Sequence, residues 1–159
     1  MQHSQETIQS LHAARLAGLR AASESRNVDA LMSWHSKDAV FTDVVNNITH
    51  SGIDAIRAFY TGAYAMMPTF RITPTKVTGP TPEFVAAEMR CEGETAGGET
   101  MRLVGVSLFW WRWEGEREWD GSLGDEGVRG WKIVRERAYY TPHPPPRRAD
   151  PPDSRSPRT

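Results

Sequence analysis

The fold is decided by two neighbouring stretches of the chain, EFVAAEMRCEGET (Glu83–Thr95) and ETMRLVGVSLFWWRWE (Glu99–Glu114). Side chains of different character alternate along both stretches, which is typical of β-strands whose two faces meet different surroundings. The connecting segment, Ala96-Gly97-Gly98, has the composition of a turn. We therefore predict two long antiparallel strands joined by a short connection.

Two further strands flank this pair, at Thr69–Thr78 and Gly130–Tyr140. Gly79-Pro80-Thr81-Pro82 forms a turn after the first of them, and the longer polar loop Gly115–Gly130 precedes the last. Four successive strands with short connections favour an antiparallel sheet.

The first half of the chain has a helical period instead. One face of an N-terminal helix carries Ile8, Leu11, Leu16, Leu19 and Ala22. Asn27 predicts the cap of a short second helix. Ser51 and Asp54 have capping-box spacing and predict the start of a third helix, which Pro68 ends.

Between the second and third helices, Ala39–Val44 reads as a short strand and Asn46–His50 as a polar loop. Helices gathered before a run of strands must cover one face of the resulting sheet, so the predicted class is α+β.

Composition excludes several kinds of function. The 159 residues suit a single domain, and 19 Lys and Arg against 20 Asp and Glu give a net charge of -1. A global basic field for nucleic acid or an anionic membrane is therefore absent. No apolar run approaches the roughly 20 residues that span a bilayer, and Met1–Glu6 does not resemble a secretory signal. Cys91 is the single cysteine, which excludes a disulfide framework and favours a cytoplasmic setting.

The last residues differ from the rest in composition. Thr141–Thr159 holds seven of the 11 prolines and four arginines. Such a segment buries too little apolar surface to fold alone. We predict a domain over 1–141 and a disordered Pro/Arg-rich tail over 142–159. The alternative for the tail is a P-x-x-P ligand for a partner domain.

Charged residues on two strands are candidates for chemistry. Arg90 and Glu92 share one face of a strand, where alternation alone favours a solvated face with cross-strand ion pairs. Glu136 shares its face with Val134 and Ala138, and a carboxylate among apolar groups is a candidate for a raised pKa. The alternative for Glu136 is an ion pair with a residue such as Arg112.

Aromatic side chains and histidines form the remaining candidates. Phe109–Trp113 points aromatic rings to both sides of its strand, which suits a pocket wall on one side and a dimer contact on the other. His50 precedes the third helix and either reaches a pocket mouth or is an ordinary loop histidine. The histidines are scattered along the chain and do not cluster as zinc ligands would.

The order of these elements resembles the NTF2-like cone, and within it the SnoaL-like polyketide cyclases and limonene epoxide hydrolases. The likeness covers residues 5–141. It is carried by four segments: Phe41-Thr42-Asp43, Gly52–Ile56, Arg90-Cys91-Glu92 and Trp131–Tyr140.

This resemblance implies a site. Arg90 and Glu92 match the Arg-x-Asp pair of the epoxide hydrolases, which implies that they face the cavity. Asp43 stands where those enzymes have an Asn, and Ala138 stands where they have a decisive late Asp. Glu136, two residues before Ala138 and about 7 Å away along the strand, supplies the relocated acid/base carboxylate in our hypothesis.

The remaining roles follow from the same resemblance. Arg90 orients Glu136 or stabilises an oxyanion. The expected substrate-binding residues are Glu92, Tyr60, Tyr64, Trp34, Trp110 and His50, with Asp43 as a further positioning or catalytic carboxylate.

The expected protein is an enzyme without metal or organic cofactor. It would isomerise, cyclise or rearrange a small hydrophobic polyketide, terpenoid or alkaloid by acid/base catalysis, as a homodimer through the outer sheet face. The alternative is a noncatalytic NTF2-like ligand-binding or dimerisation module. A lesser alternative is a dehydratase or hydrolase that uses Asp43.

Overall fold

The computed structural model describes residues 3–142 and confirms the α+β class. The helices are α1 (Gln5–Glu24), α2 (Val28–Met32), α3 (Ile53–Met66) and the short α4 (Asp125–Arg129). The strands are β1 (His35–Asp43), β2 (Ile48–Ser51), β3 (Thr69–Thr81), β4 (Phe84–Glu94), β5 (Thr100–Trp113) and β6 (Trp131–Pro142).

The strands form one six-stranded sheet in the order β2-β1-β6-β5-β4-β3. The four long strands β3 to β6 pair antiparallel, as predicted, while β1 pairs parallel to β6 and so brings the early strand beside the last one. The helices pack on the inner face, with α1 against β3 and α3 against β1. The sheet is curved and unclosed, so its inner face and the helices enclose the core.

Alternation sets the inner face of β4 and β5. In β4 the inward side chains are Val85, Ala87, Met89 and Cys91, all at most 5% exposed. In β5 the inward positions include Ser107, Phe109 and Trp111, each at most 2% exposed. The intervening residues of both strands face outward.

A β-bulge at Val134 changes the inward set of β6. Ile133 pairs with Trp111 and Arg135 pairs with Trp110, so Val134 has no partner in β5. The bulge shifts the alternation by one residue. Trp131 and Ile133 point inward before it, and Glu136 and Ala138 point inward after it.

Four details differ from the sequence-based expectation. β1 begins at His35 rather than Ala39, and the predicted loop Asn46–His50 includes the start of β2. The capping box does not form, because Gly52, with φ of 86°, is the N-cap of α3 and no side chain caps that helix. Glycine reaches this positive φ without strain. The loop before β6 contains α4.

Other expectations are met locally. The side chain of Asn27 accepts a hydrogen bond from the Ala30 N–H at 3.1 Å and caps α2, and α3 ends at Met66, just before Pro68. The predicted tail lies outside the described residues from 143 onward, and Pro142 is the last residue of β6. Within residues 3–142, no helix combines the length and apolarity needed to cross a bilayer.

Candidate functional site

A small cavity lies between α1, α3 and the inner face of the sheet. Its volume is about 40 Å³, enough for one or two water molecules. The polar or titratable side chains that line it are Arg20, Ser23, His35, Tyr60, Glu136 and Tyr140, and the apolar ones include Leu16, Leu19, Leu31, Ile72, Met89 and Phe109. The predominance of apolar lining around a few polar groups is typical of a ligand site.

Glu136 is the one acidic side chain in this lining. It is 7% exposed, and the Ser107 hydroxyl donates a hydrogen bond to its Oε1 at 2.9 Å. Burial raises the pKa of Glu136 to about 7, because desolvation disfavours the ionised form, and the Ser107 hydrogen bond opposes this rise only in part. The carboxyl group can therefore both take up and release a proton near neutral pH.

A hydrogen-bonded chain connects Glu136 to Tyr140. The Ser107 hydroxyl gives its proton to Glu136 Oε1, so in its 2.6 Å contact with Tyr140 it must accept the phenolic proton. Among the described residues, nothing donates to the second carboxyl oxygen, Oε2. One oxygen is thus held in place and the other is open to a reaction in the cavity.

Tyr60, which the sequence suggested as a substrate-binding residue, is a second polar side chain beside Glu136. It lines the cavity, and burial together with the nearby Glu136 raises its pKa well above the usual value, so the phenol stays protonated. Its hydroxyl makes no hydrogen bond within residues 3–142. Its proton is therefore available to an acceptor on a ligand.

Cys91 lies on the inner face, opposite to Arg90 and Glu92, as the alternation predicted. Burial raises the pKa of its thiol to about 12, with a further contribution from Glu136. A thiol that stays protonated is a poor nucleophile, and Cys91 is not among the residues that line the cavity.

The prediction that Arg90 and Glu92 face the cavity is wrong. Both are exposed on the outer face of β4, and Glu92 lies 3.8 Å from Arg102 of β5. The physical reason is that the alternate residues Val85, Ala87, Met89 and Cys91 are apolar and take the inner face. Arg90 therefore does not orient Glu136, a role that Ser107 fills.

Asp43 and His50 also lie away from the cavity lining. Asp43 ends β1, and its carboxylate accepts hydrogen bonds from the backbone and side-chain nitrogens of Asn46 at 3.1 and 2.7 Å. His50 packs between Phe41 and Phe59, with ring centroids 5.8 and 4.8 Å away. Asp43 stabilises a turn and His50 an aromatic contact.

The three predicted aromatic walls do not line the cavity. Trp110 faces outward, 5.2 Å from Phe84, because its neighbours Phe109 and Trp111 take the inner positions of β5. Trp34 is buried, with its ring centroid 6.4 Å from that of Trp111. Tyr64 is buried beside Tyr60, where its hydroxyl donates to the Ser23 carbonyl oxygen at 3.0 Å and ties α3 to α1.

Sequence reasoning did not single out several polar residues of the site, among them Ser107, Tyr140 and His35. Ser107 lies opposite Ala138 in the β5–β6 register, and that register could not be derived from strand periodicity alone. Among residues 3–142, no three His, Cys, Asp or Glu side chains come together as a metal site would require.

Comparison with known proteins places this geometry in a family. The model of the SnoaL-like domain matches residues 16–117, more than half of the chain. No protein of curated function matches the sequence.

Solved structures share the fold at low sequence identity. A Shewanella denitrificans protein provisionally described as a SnoaL-like polyketide cyclase aligns with a TM-score of 0.63 at 14% identity, over 84% of this chain and 90% of its own. A Mycobacterium tuberculosis protein in complex with estradiol-17beta-hemisuccinate aligns with a TM-score of 0.62 at 15% identity, over 82% of this chain and 94% of its own.

A third structure is a Catenulispora acidiphila protein with a ketosteroid isomerase-like fold, in complex with trimethylamine. It gives a TM-score of 0.61 at 19% identity, over 80% of this chain and 85% of its own. At these identities the likeness establishes the fold. The chain has this ketosteroid isomerase-like fold and belongs to the SnoaL-like family.

Proposed function

We propose that the protein is a cofactor-independent enzyme that isomerises or cyclises a small hydrophobic carbonyl compound, with Glu136 as the acid/base group. The observation that carries this proposal is a carboxyl group with a pKa of about 7 and one unbonded oxygen, buried beside an apolar cavity. Proton transfer to and from carbon adjacent to a carbonyl is the chemistry that such a group performs best.

The reaction begins with ionised Glu136. Oε2 takes a proton from the carbon next to the substrate carbonyl, and the electron pair of the broken C–H bond moves into an enolate. In the isomerisation of a β,γ-unsaturated carbonyl compound the enolate is a dienolate, and the same carboxyl group returns the proton to its γ-carbon, which moves the double bond into conjugation with the carbonyl. In a cyclisation the enolate carbon instead attacks a second carbonyl within the substrate, whose oxygen takes the proton.

Tyr60 is the second group in this mechanism. The negative charge of an enolate develops on oxygen, and a protonated phenol in an apolar site stabilises it by donating a hydrogen bond. Tyr60 is suited to this because its raised pKa keeps the proton on the phenol. Tyr140 is less suited, since its proton is already donated to Ser107.

The size of the cavity sets a condition on the substrate. Its volume of about 40 Å³ is far below the roughly 300 Å³ at which ordinary ligand pockets begin. The substrate therefore enters as lining side chains move. Leu16, Leu19 and Met89 line the cavity, and their side chains can enlarge it by rotating to other conformers.

Exchange of α-protons tests the proposal without knowledge of the natural substrate. Cyclohexanone in D₂O loses its α-protons to solvent when a base removes them, and proton NMR follows this loss. We expect the wild-type protein to accelerate the exchange and Glu136→Gln to lower the protein-dependent rate by at least about 100-fold.

Glu92→Gln is the matched control, because Glu92 is a carboxylate exposed on the opposite face of the sheet. It should keep the wild-type rate. Equal rates for Glu136→Gln and the wild type would contradict the proposal, as would loss of exchange in Glu92→Gln.

The outer face of the sheet favours a second role as a dimerisation module. Half-buried apolar and aromatic side chains cover it, among them Phe84, Val106, Leu108 and Trp110. We propose a homodimer through this face. Light scattering should give twice the 17.9 kDa chain mass, and Trp110→Glu should give the monomer. A wild-type monomer at high concentration would contradict the dimer.

A further inference from the structure

His35 is a buried polar side chain of the cavity lining that the proposed mechanism does not use. It is 6% exposed, lies at the start of β1 and lines the same cavity as Glu136. Its two ring nitrogens have different surroundings: Nδ1 has a hydrogen-bond partner, whereas Nε2 has none among residues 3–142.

The tautomer of His35 follows from its one hydrogen bond. Nδ1 lies 3.0 Å from the backbone carbonyl oxygen of Leu31. A carbonyl oxygen only accepts, so Nδ1 must carry the proton. Burial lowers the pKa of His35 to about 4, so the ring is neutral at pH 7 and Nε2 is a bare acceptor.

Nε2 is buried and finds no hydrogen-bond partner among residues 3–142. Buried acceptors are normally paired. Most other side chains of the lining are apolar, and none of the polar ones forms a hydrogen bond with Nε2. What would satisfy this atom must therefore enter the cavity from outside.

We infer that His35 Nε2 accepts a hydrogen bond from a neutral donor, a hydroxyl or N–H group, on the ligand of this cavity. This inference rests on the proposed function only in taking the cavity as the ligand site. It makes the ligand a largely apolar molecule with a donor group near His35 and its reacting carbon near Glu136. A neutral acceptor in an apolar wall selects such a donor and rejects an anion or a second acceptor.

Phenol and toluene form a matched pair of probes. They have nearly the same shape and need the same opening of the cavity, but only phenol has a donor. NMR titration of the wild-type protein and of His35→Leu gives four affinities. We expect the ratio of phenol to toluene affinity to fall about tenfold or more in His35→Leu.

A direct readout on the wild-type protein needs no variant. The ¹⁵N resonance of His35 Nε2 should move on phenol binding and stay unchanged with toluene. His35→Gln, which keeps an acceptor oxygen, should retain part of the preference for phenol and serves if the leucine variant does not fold.

Two results would overturn the assignment. One is an equal phenol-to-toluene ratio in the wild type and His35→Leu. The other is a His35 ¹⁵N resonance that phenol leaves unchanged, as when a permanently bound water pairs with Nε2.

These outcomes are separate from those of the proposed function. Cyclohexanone exchange that depends on Glu136 but shows no phenol discrimination rejects only the His35 assignment. Phenol discrimination without exchange rejects only the acid/base chemistry.

Discussion

Glu136 and Arg15 are both buried ionisable side chains, but their surroundings differ completely. Arg15 is fully buried, with its guanidinium carbon 4.3 and 5.1 Å from the ring centroids of Trp111 and Trp131. Its Nη2 donates to the Pro82 carbonyl oxygen at 2.8 Å and to His12 Nδ1 at 2.7 Å. Protein atoms thus surround the charge, whereas Glu136 adjoins a cavity.

This difference indicates which of the two groups is available for chemistry. Arg15 Nε and Nη1 have no hydrogen-bond partner among residues 3–142, but Arg15 does not line the cavity and its guanidinium contacts two tryptophan rings, so we assign it a structural role. Glu136 has one hydrogen bond, an open oxygen and a pKa raised by burial. A group that lowers stability in its ionised form and borders a cavity is a candidate for function.

The largest change in stability that we expect comes from replacing Arg15. Arg15→Ala empties the space between two tryptophan rings and leaves the Pro82 oxygen and His12 unpaired. We expect the free energy of unfolding to fall by about 3–5 kcal/mol, measured by urea denaturation. Arg20→Ala on the same helix, which loses an ion pair with Glu24 that is over a third exposed, should change it by less than about 1 kcal/mol. Similar losses in both variants would remove the distinction.

Glu136→Gln should raise the free energy of unfolding, in contrast to Arg15→Ala. Above pH 7 the wild-type protein holds an ionised carboxylate in a buried site, and a neutral amide removes that penalty. We expect a gain of about 3 kcal/mol at pH 8, from a rise in pKa from 4.5 to about 7. The gain should vanish near pH 4, where the wild-type group is protonated in both states. A loss of stability at pH 8 would mean that the carboxylate is well solvated.

The pH dependence of stability is the next smaller effect. Burial lowers the pKa of His12 and of His35 from 6.5 to about 4, so the unfolded chain takes up more protons than the folded one below pH 6.5. The free energy of unfolding therefore decreases as the pH is lowered from 6.5 towards 4. Glu136, with a raised pKa, acts in the opposite direction between pH 7 and 4.5.

Between pH 6 and 5 the two histidines take up about two protons on unfolding, and Glu136 releases about one. The unfolded chain therefore binds about one proton more than the folded protein. We expect the wild-type protein to lose about 1.4 kcal/mol per pH unit between pH 6 and 5, and Glu136→Gln to lose about twice that. Denaturation at three pH values measures both slopes. Equal slopes would place the Glu136 pKa in the ordinary range.

Ser107→Ala is the smallest change we predict. It removes one buried hydrogen bond, and we expect a loss of about 1 kcal/mol at pH 8. The pKa of Glu136 should rise further, because the Ser107 hydroxyl stabilises the ionised form. Tyr140→Phe keeps the Ser107 donor and should raise this pKa less. A larger rise in Tyr140→Phe would mean that Tyr140, not Ser107, fixes the carboxylate.

The architecture could be predicted from the sequence because alternation and helical period are local. The four long strands, the class and the cap at Asn27 depend on neighbouring residues alone. The inner face of β4 could also be derived, since Val85, Ala87, Met89 and Cys91 are apolar while Arg90 and Glu92 are not. The resemblance to the epoxide hydrolases favoured the opposite face, and there the local physics was the better guide.

The site could be predicted only in part, because a bulge has no clear local signal. Strict alternation in β6 would set Glu136 on the face opposite to Trp131 and Ile133, yet all three point inward because Val134 is unpaired. Ser107 and His35 depend on cross-strand register and on a helix carbonyl, which strand periodicity does not contain.

The most direct test of the central claim is the pKa of Glu136 itself. The ¹³C chemical shift of its side-chain carboxyl carbon, assigned by comparison with Glu136→Gln, gives this pKa in a titration from pH 3 to 9. We expect a midpoint near 7. A midpoint at 4.5 or below would show that Glu136 is solvated or ion-paired, and would contradict its assignment as the acid/base group.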